Sequence, residues 1–320
     1  MPILRRHRAA LLSLVCCALV AFAAGCSPQG GSTDTSDKKT SVIATFYPLD
    51  FLAQRVGGDR VQVTGLVPPG VEPHDWEPTP KDIAAITKAR VFVYQGAGLE
   101  SWAERTAASL PASGPIVVRA TAGFTLKPGI AGEEEGSTPE SSEGTILDPH
   151  VWLDPQLYAQ QAALIRDALV KADPAGEALY STNLADLTAE LERLTNEMRQ
   201  GLSACKRTTI VTSHAAFVYL ADRFRLRQLA VSGLSPDAEP SPARLREVIQ
   251  QVREQEATHI FFETLVSPAV SQTIAREVGA QTLVLNPIEG LTADEVKAGA
   301  DYFSVQRQNL ANLRIALGCP

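Results

Sequence analysis

Apolar positions along the chain fall into two alternating patterns: short runs of four to eight residues, and longer stretches with apolar side chains at spacings of three and four. The first pattern predicts buried strands and the second predicts helices that bury one face. TSVIATFYPL reads as a strand, FLAQRVGG as a helix ending on glycines, and VQVTGLVPPG as a strand running into a turn. In TPKDIAAITKAR, Thr79 is placed to cap a helix and Pro80 to occupy its first turn. The strand VFVYQG, a helix around SWAERTAAS and the strand PIVVRAT follow.

After LYAQQAALIRDALVKA, Leu184, Leu187, Leu191 and Leu194 mark the longest helix of the chain. The alternation then resumes: TTIVTS, RQLAVSGL, THIFFET and QTLVLNP read as strands. Between them stand helices at AAFVYLADRF, SPARLREVIQQVREQ, opened by Ser241 and Pro242, and VSQTIAREVG. TADEVKAGADYFSVQRQNLANLRIAL reads as one closing helix. Strands separated by helices predict parallel sheets with crossover connections, so the fold class is α/β. The pattern divides into an amino-terminal lobe at 41–172, a linking helix at 173–204 and a carboxyl-terminal lobe at 205–320.

Two segments fall outside this alternation. Arg5, Arg6 and Arg8 precede an apolar run from Ala9 to Ala24 that ends in Gly25-Cys26. The run is shorter than the roughly 20 residues that span a bilayer, and a polar tract follows it, so 1–26 reads as an export signal. Small residues before Cys26 resemble a lipobox, with Ala23 where leucine is usual, which makes Cys26 the candidate for lipidation. Residues 27–40 then form a flexible tether, and the protein is expected outside the cytoplasm, anchored to the cell membrane by lipid. The second segment, 127–147, is rich in Gly, Ser, Pro and Glu and reads as a mobile acidic surface loop within the first lobe.

The chain has 320 residues, 45% hydrophobic and 20% charged, enough for a large core. A net charge of -7 argues against a nucleic-acid partner, which requires clustered cations. A monomer is expected. Of the five cysteines, Cys26, Cys205 and Cys319 survive removal of the signal. With Cys26 lipidated, an oxidising compartment permits a Cys205–Cys319 disulfide, the alternative being two buried thiols.

The five histidines carry the chemistry. His7 lies in the signal. His259 precedes an apolar strand at its amino end and reads as structural. His74 (PPGVEPHDWEPTP), His150 (TILDPHVWLDP) and His214 (IVTSHAAF) each stand at the end of an apolar segment and before a helix start, as does Glu289 in VLNPIEGLT. No local metal signature of the HxxxH or CxxC kind joins them, so only folding could make a site. Three imidazoles and a carboxylate at the carboxyl ends of strands would supply the four donors of a tetrahedral ion in a cleft between the lobes.

The strings PHDWEPTP, DPHVWLDP, TSHAAFVYLADRF, GLSPDAEPSP, FFETLVSP and LNPIEGLT resemble, in order and over nearly the whole mature chain, the cluster A-I (ZnuA/TroA-like) metal-binding lipoproteins of zinc and manganese ABC importers. The resemblance implies two α/β lobes joined by a rigid helix, with a divalent ion held between them and delivered to a membrane permease. Family members were often first regarded as adhesins. The resemblance also implies His74, His150 and His214 as ligands. Many members place Asp at the position of Asn286, whereas others use a Glu three residues later, which matches Glu289.

Three neutral imidazoles and one carboxylate suit Zn2+, whereas Mn2+ prefers more oxygen donors. Asp75, Glu77, Asp148 and Asp154 lie close enough in sequence to orient the rings, with helix capping as their alternative role. Trp76, Trp102 and Trp152 are read as core residues. A zinc hydrolase, with Glu289 or Glu263 as base, and a surface adhesin are the competing readings. Neither HExxH nor a nucleophile elbow is present.

Overall fold

Thr40, the last residue assigned to the tether, already opens the first strand of the computed structural model, which describes residues 39–129, 146–237 and 240–320. The export signal, Cys26 and the central part of the acidic loop lie outside the described residues. The first half runs β1 (Thr40–Ala44), α1 (Tyr47–Gly57), β2 (Val61–Gly65), α2 (Pro80–Lys88), β3 (Val91–Tyr94), α3 (Ser101–Ser109) and β4 (Ile116–Arg119). Its four strands form a parallel sheet in the order β2-β1-β3-β4. Val42 pairs with Val63 on one side and Val91 on the other, and every residue of β3 is buried. Near-continuous apolar strands are what a sheet covered by helices on both faces requires.

Two helices then carry the chain across: α4 (Pro155–Ala172) and α5 (Glu177–Gly201). The linking helix is thus shorter than 173–204, because Pro174–Gly176 forms a separate 3-10 turn before it. Leu187, Leu191, Leu194 and Met198 make the buried stripe of α5. The second half contains β5 (Thr209–Thr212), α6 (Val218–Arg223), β6 (Arg227–Ala230), α7 (Pro242–Glu254), β7 (His259–Phe262), α8 (Ala269–Val278) and β8 (Gln281–Val284). Parallel pairs β5-β6 and β7-β8 are its two small sheets among the described residues.

The closing segment is two helices rather than one: α9 (Ala293–Lys297) and α10 (Tyr302–Leu317). Gly299 adopts φ 73 and ends α9, and Asp301 caps α10 by accepting from Ser304 N. The apolar spacing continues across this break, which is why the pattern alone reads as one helix.

One hydrophobic cluster includes Val42, Leu52, Tyr158, Ile165, Leu191, Phe217, Tyr302 and Leu313, so a shared core packs α1, α4, α5 and α10 together. Cys205 and Cys319 are disulfide-bonded, which ties the end of α10 to the loop after α5. The described ends of the acidic loop are paired, with Pro128 bridged to Leu147 and Gly129 N donating to Ile146 O at 2.8 Å. No helix among the described residues is long and apolar enough to cross a membrane.

Candidate metal centre

Each of the four candidate ligands sits in a loop or turn whose backbone is held by neighbouring segments. His74 lies in the proline-rich loop after β2, where its N–H donates to Glu72 Oε2 at 2.8 Å and Gly70 N donates across to Leu291 O at 2.8 Å. His150 precedes a 3-10 turn, Val151–Leu153. Asp148 Oδ1 accepts from His150 N at 2.9 Å and also lies 2.9 Å from Nδ1 of the same ring. Gln95 Nε2 donates to Pro149 O from the other side. His214 follows β5, and its Nδ1 lies 2.6 Å from Glu263 Oε1, an oxygen that also accepts from Ser213 Oγ. Glu289 follows β8.

These placements bring His74, His150, His214 and Glu289 together, with one donor atom from each lying within 4.8 Å of the others. Nε2 of His150, His214 and His74 stand 3.2, 3.4 and 3.5 Å from Glu289 Oε1. A tetrahedral ion with donors at 2.0–2.1 Å has donor–donor edges of about 3.3 Å, so the spacing fits zinc-sized coordination. All three Nε2 atoms and Glu289 Oε1 are buried and without a hydrogen-bond partner. Buried polar atoms are normally paired, so four orphans facing one another identify a place for a cation.

Carboxylates behind the rings determine which nitrogen faces inward. Asp148 and Glu263 each hold a ring N–H on Nδ1, leaving the Nε2 lone pair aimed at the centre. Burial opposes a charge on His150, but Asp148 and Glu289 outweigh it and raise the ring above the ordinary imidazole value. Burial likewise opposes charging of His214, and Glu263 with Glu289 raises it well above that value. His74 has no such carboxylate against its ring, and burial lowers it. Burial would raise Glu289, yet the facing imidazoles, His214 first, hold it well below the usual carboxylate range. A divalent cation and protons thus compete for the same inward-facing Nε2 atoms.

Of the four residues proposed to orient the rings, only Asp148 touches one. Asp154 caps α4 through Gln156 N and pairs with Arg223 at 2.6 Å. Asp75 gathers instead with Glu72 and Asp237 beside His74, where burial and the Glu289 charge push the Glu72 carboxyl up to about 8. Glu77 makes no hydrogen bond or ion pair with the rings. Glu263, considered from sequence only as a hydrolytic base, is the partner that was missed. An acidic residue directly after the apolar run HIFF, matching the position of Ser213-His214 after TIVT, is the signal that would have found it.

Asn286 does not join the cluster: its amide is committed to Ile288 N, Thr264 and Glu295. His259 opens β7 with Nδ1 against Thr258 Oγ1, at the strand end opposite Glu263, as a structural residue would. Trp152 and Trp102 are buried, and the Trp152 ring lies 5.1 Å from that of His150.

The sequence matches, over residues 42–316, the family described as the periplasmic component A of the zinc-uptake complex, ZnuA. This chain belongs to that family. It is 37% identical to the high-affinity zinc uptake system protein ZnuA of Bacillus subtilis, over 96% of this chain and 97% of that protein. It is 39% identical to the zinc-binding lipoprotein AdcA of Streptococcus pneumoniae, covering 95% of this chain and 60% of that longer relative. The fold superimposes on the Zn(II)-bound ZnuA-like domain of pneumococcal AdcA with a TM-score of 0.74 at 36% identity, covering 87% of this chain and 99% of that domain. A ZnuA-family chain with parallel α/β sheets and one long helix therefore agrees with the fold class expected from the hydrophobic pattern.

Proposed function

We propose that this protein is the extracytoplasmic receptor of an ABC importer, capturing Zn2+ through His74, His150, His214 and Glu289 and presenting it to a membrane permease. The observation that carries this reading is the convergence of four buried, unpartnered donors, with the three Nε2 atoms 3.2–3.5 Å from Glu289 Oε1. The names of the relatives, a zinc uptake component and a zinc-binding lipoprotein, support both the cargo and the location. Lipidation at Cys26 would keep the receptor at the membrane, and it would act as a monomer. Three imidazoles with a single carboxylate favour zinc over the manganese alternative. His74 is the rim of the site, 11% exposed against 0% for His150 and His214, so the ion enters from its side.

A binding role, not catalysis, fits the donor set. Four protein ligands leave no position for an activated water, and Glu263, which a hydrolase would need free, is spent on His214 and Ser213. The test is metal content and competitive titration of the signal-free protein. One Zn2+ per chain is expected, with affinity falling at least about 100-fold in His150→Ala and in His214→Ala while the circular dichroism stays native. Wild-type affinity in both variants would refute the site.

A further inference from the structure

His150 and His214 are aimed by carboxylates behind their rings, but Glu289 has no equivalent support. Its Oε1 faces the three imidazole Nε2 atoms at 3.2–3.5 Å without a hydrogen bond, and no side-chain hydrogen bond to the carboxylate is found among the described residues. Its direction is therefore set by the backbone that precedes it. That backbone is unusual: Ile288, β-branched and fully buried, adopts φ 58, a left-handed conformation that such a residue keeps only where its surroundings enforce it.

We propose that Asn286 is the positioning residue that enforces this turn and thereby aims Glu289 at the metal centre. Asn286 Oδ1 accepts from Ile288 N at 2.8 Å, closing the turn from within. The amide is held in that orientation because Nδ2 donates to Thr264 Oγ1 at 3.1 Å and Glu295 Oε1 at 3.2 Å. Its backbone is clamped in turn, N to Asn309 Oδ1 at 2.9 Å and O from Asn309 Nδ2 at 2.7 Å. Trp152 Nε1 fixes the next carbonyl, Pro287 O, at 2.8 Å. An aspartate at 286 would face the Glu295 carboxylate with no donor to offer, so the amide itself is what the turn requires.

This inference rests on Glu289 being a ligand, and a double-mutant cycle separates the two claims. Zn2+ affinity is measured by chelator competition for the wild type, Asn286→Ala, Glu289→Ala and the double variant, with Co2+ absorption spectra as a reading of coordination. Asn286→Ala should weaken binding about tenfold or more. The double variant should bind no more weakly than Glu289→Ala, and the Co2+ spectrum of Asn286→Ala should move toward that of Glu289→Ala. Equal losses in both backgrounds, or no loss in either, would overturn the positioning role. An unaltered affinity in Glu289→Ala would instead overturn the ligand assignment. Should Asn286→Ala fail to fold, Thr264→Val keeps the shape and removes one acceptor of the amide. A loss of about threefold is then expected, again only where Glu289 is present.

Discussion

The two histidines with raised pKa values decide how the site responds to pH. His150 and His214 gain from facing carboxylates more than they lose by burial. A histidine raised in the folded state contributes stability that is complete below its unfolded value of about 6.5 and is lost as pH rises through the folded value. Glu289, depressed by the same imidazoles, contributes above about 4.3 and loses its share as acid protonates it. The metal-free protein should therefore lose stability on moving from pH 6.5 to alkaline pH, while Zn2+, taking the place of the protons, protects it more strongly there. Zinc binding at pH 7 should release protons, and affinity should continue to climb above pH 6.5. Calorimetry in two buffers of different ionisation enthalpy measures the release directly, and a value of zero would contradict the ring–carboxylate assignment. His74, lowered by burial, is already neutral under these conditions and adds little to the release.

Among the elements, those with local end signals were legible in sequence. Thr79 forms a capping box with Asp82 at the start of α2, and Ser241 caps α7 by accepting from Arg244 N, both as the Thr-Pro and Ser-Pro pairs indicated. The division of the last segment into α9 and α10 was not legible. Its two parts carry compatible apolar spacing, and only the left-handed Gly299 reveals the break. That geometry makes a prediction: Gly299→Ala should lower the unfolding free energy by about 1–2 kcal/mol, because an L-residue is forced into left-handed backbone. Chemical denaturation measures it. A neutral result would mean that the turn relaxes freely and does not hold the α9 cap, Thr292 with Glu295, in place. Among the site histidines strand-end placement was legible only for His214, after β5, since His74 stands well beyond β2 and His150 precedes a 3-10 turn. Glu263 was not, because its contact with His214 joins the ends of two strands whose adjacency no local pattern records.

At the scale of the molecule, the shared core and the disulfide hold the two halves together. The Cys205–Cys319 bond closes a separation of 114 residues, for which the chain-entropy account gives about 4–5 kcal/mol of stabilisation. It lies near the start of β5, whereas His214 follows that strand's other end. The Cys205→Ser/Cys319→Ser variant should thus unfold at lower temperature yet bind zinc as the wild type does. Thermal melts and the competition titration read the two effects separately, and a large loss of affinity would show that the bond also shapes the site.

The sequence by itself determined the α/β alternation, the long helix and the candidate histidines, because periodicity and motif position along the chain are local quantities. Two things were decided only by tertiary structure: the convergence of four distant donors, and the pairing of Asp148 and Glu263 with particular ring nitrogens. Each depends on distances and directions between segments far apart in sequence. Asn286 and Glu289 lie three residues apart, and the resemblance already favoured Glu289 as the ligand. The left-handed turn at Ile288, held by contacts from Thr264, Glu295, Asn309 and Trp152, turns one side chain inward and commits the other to the scaffold.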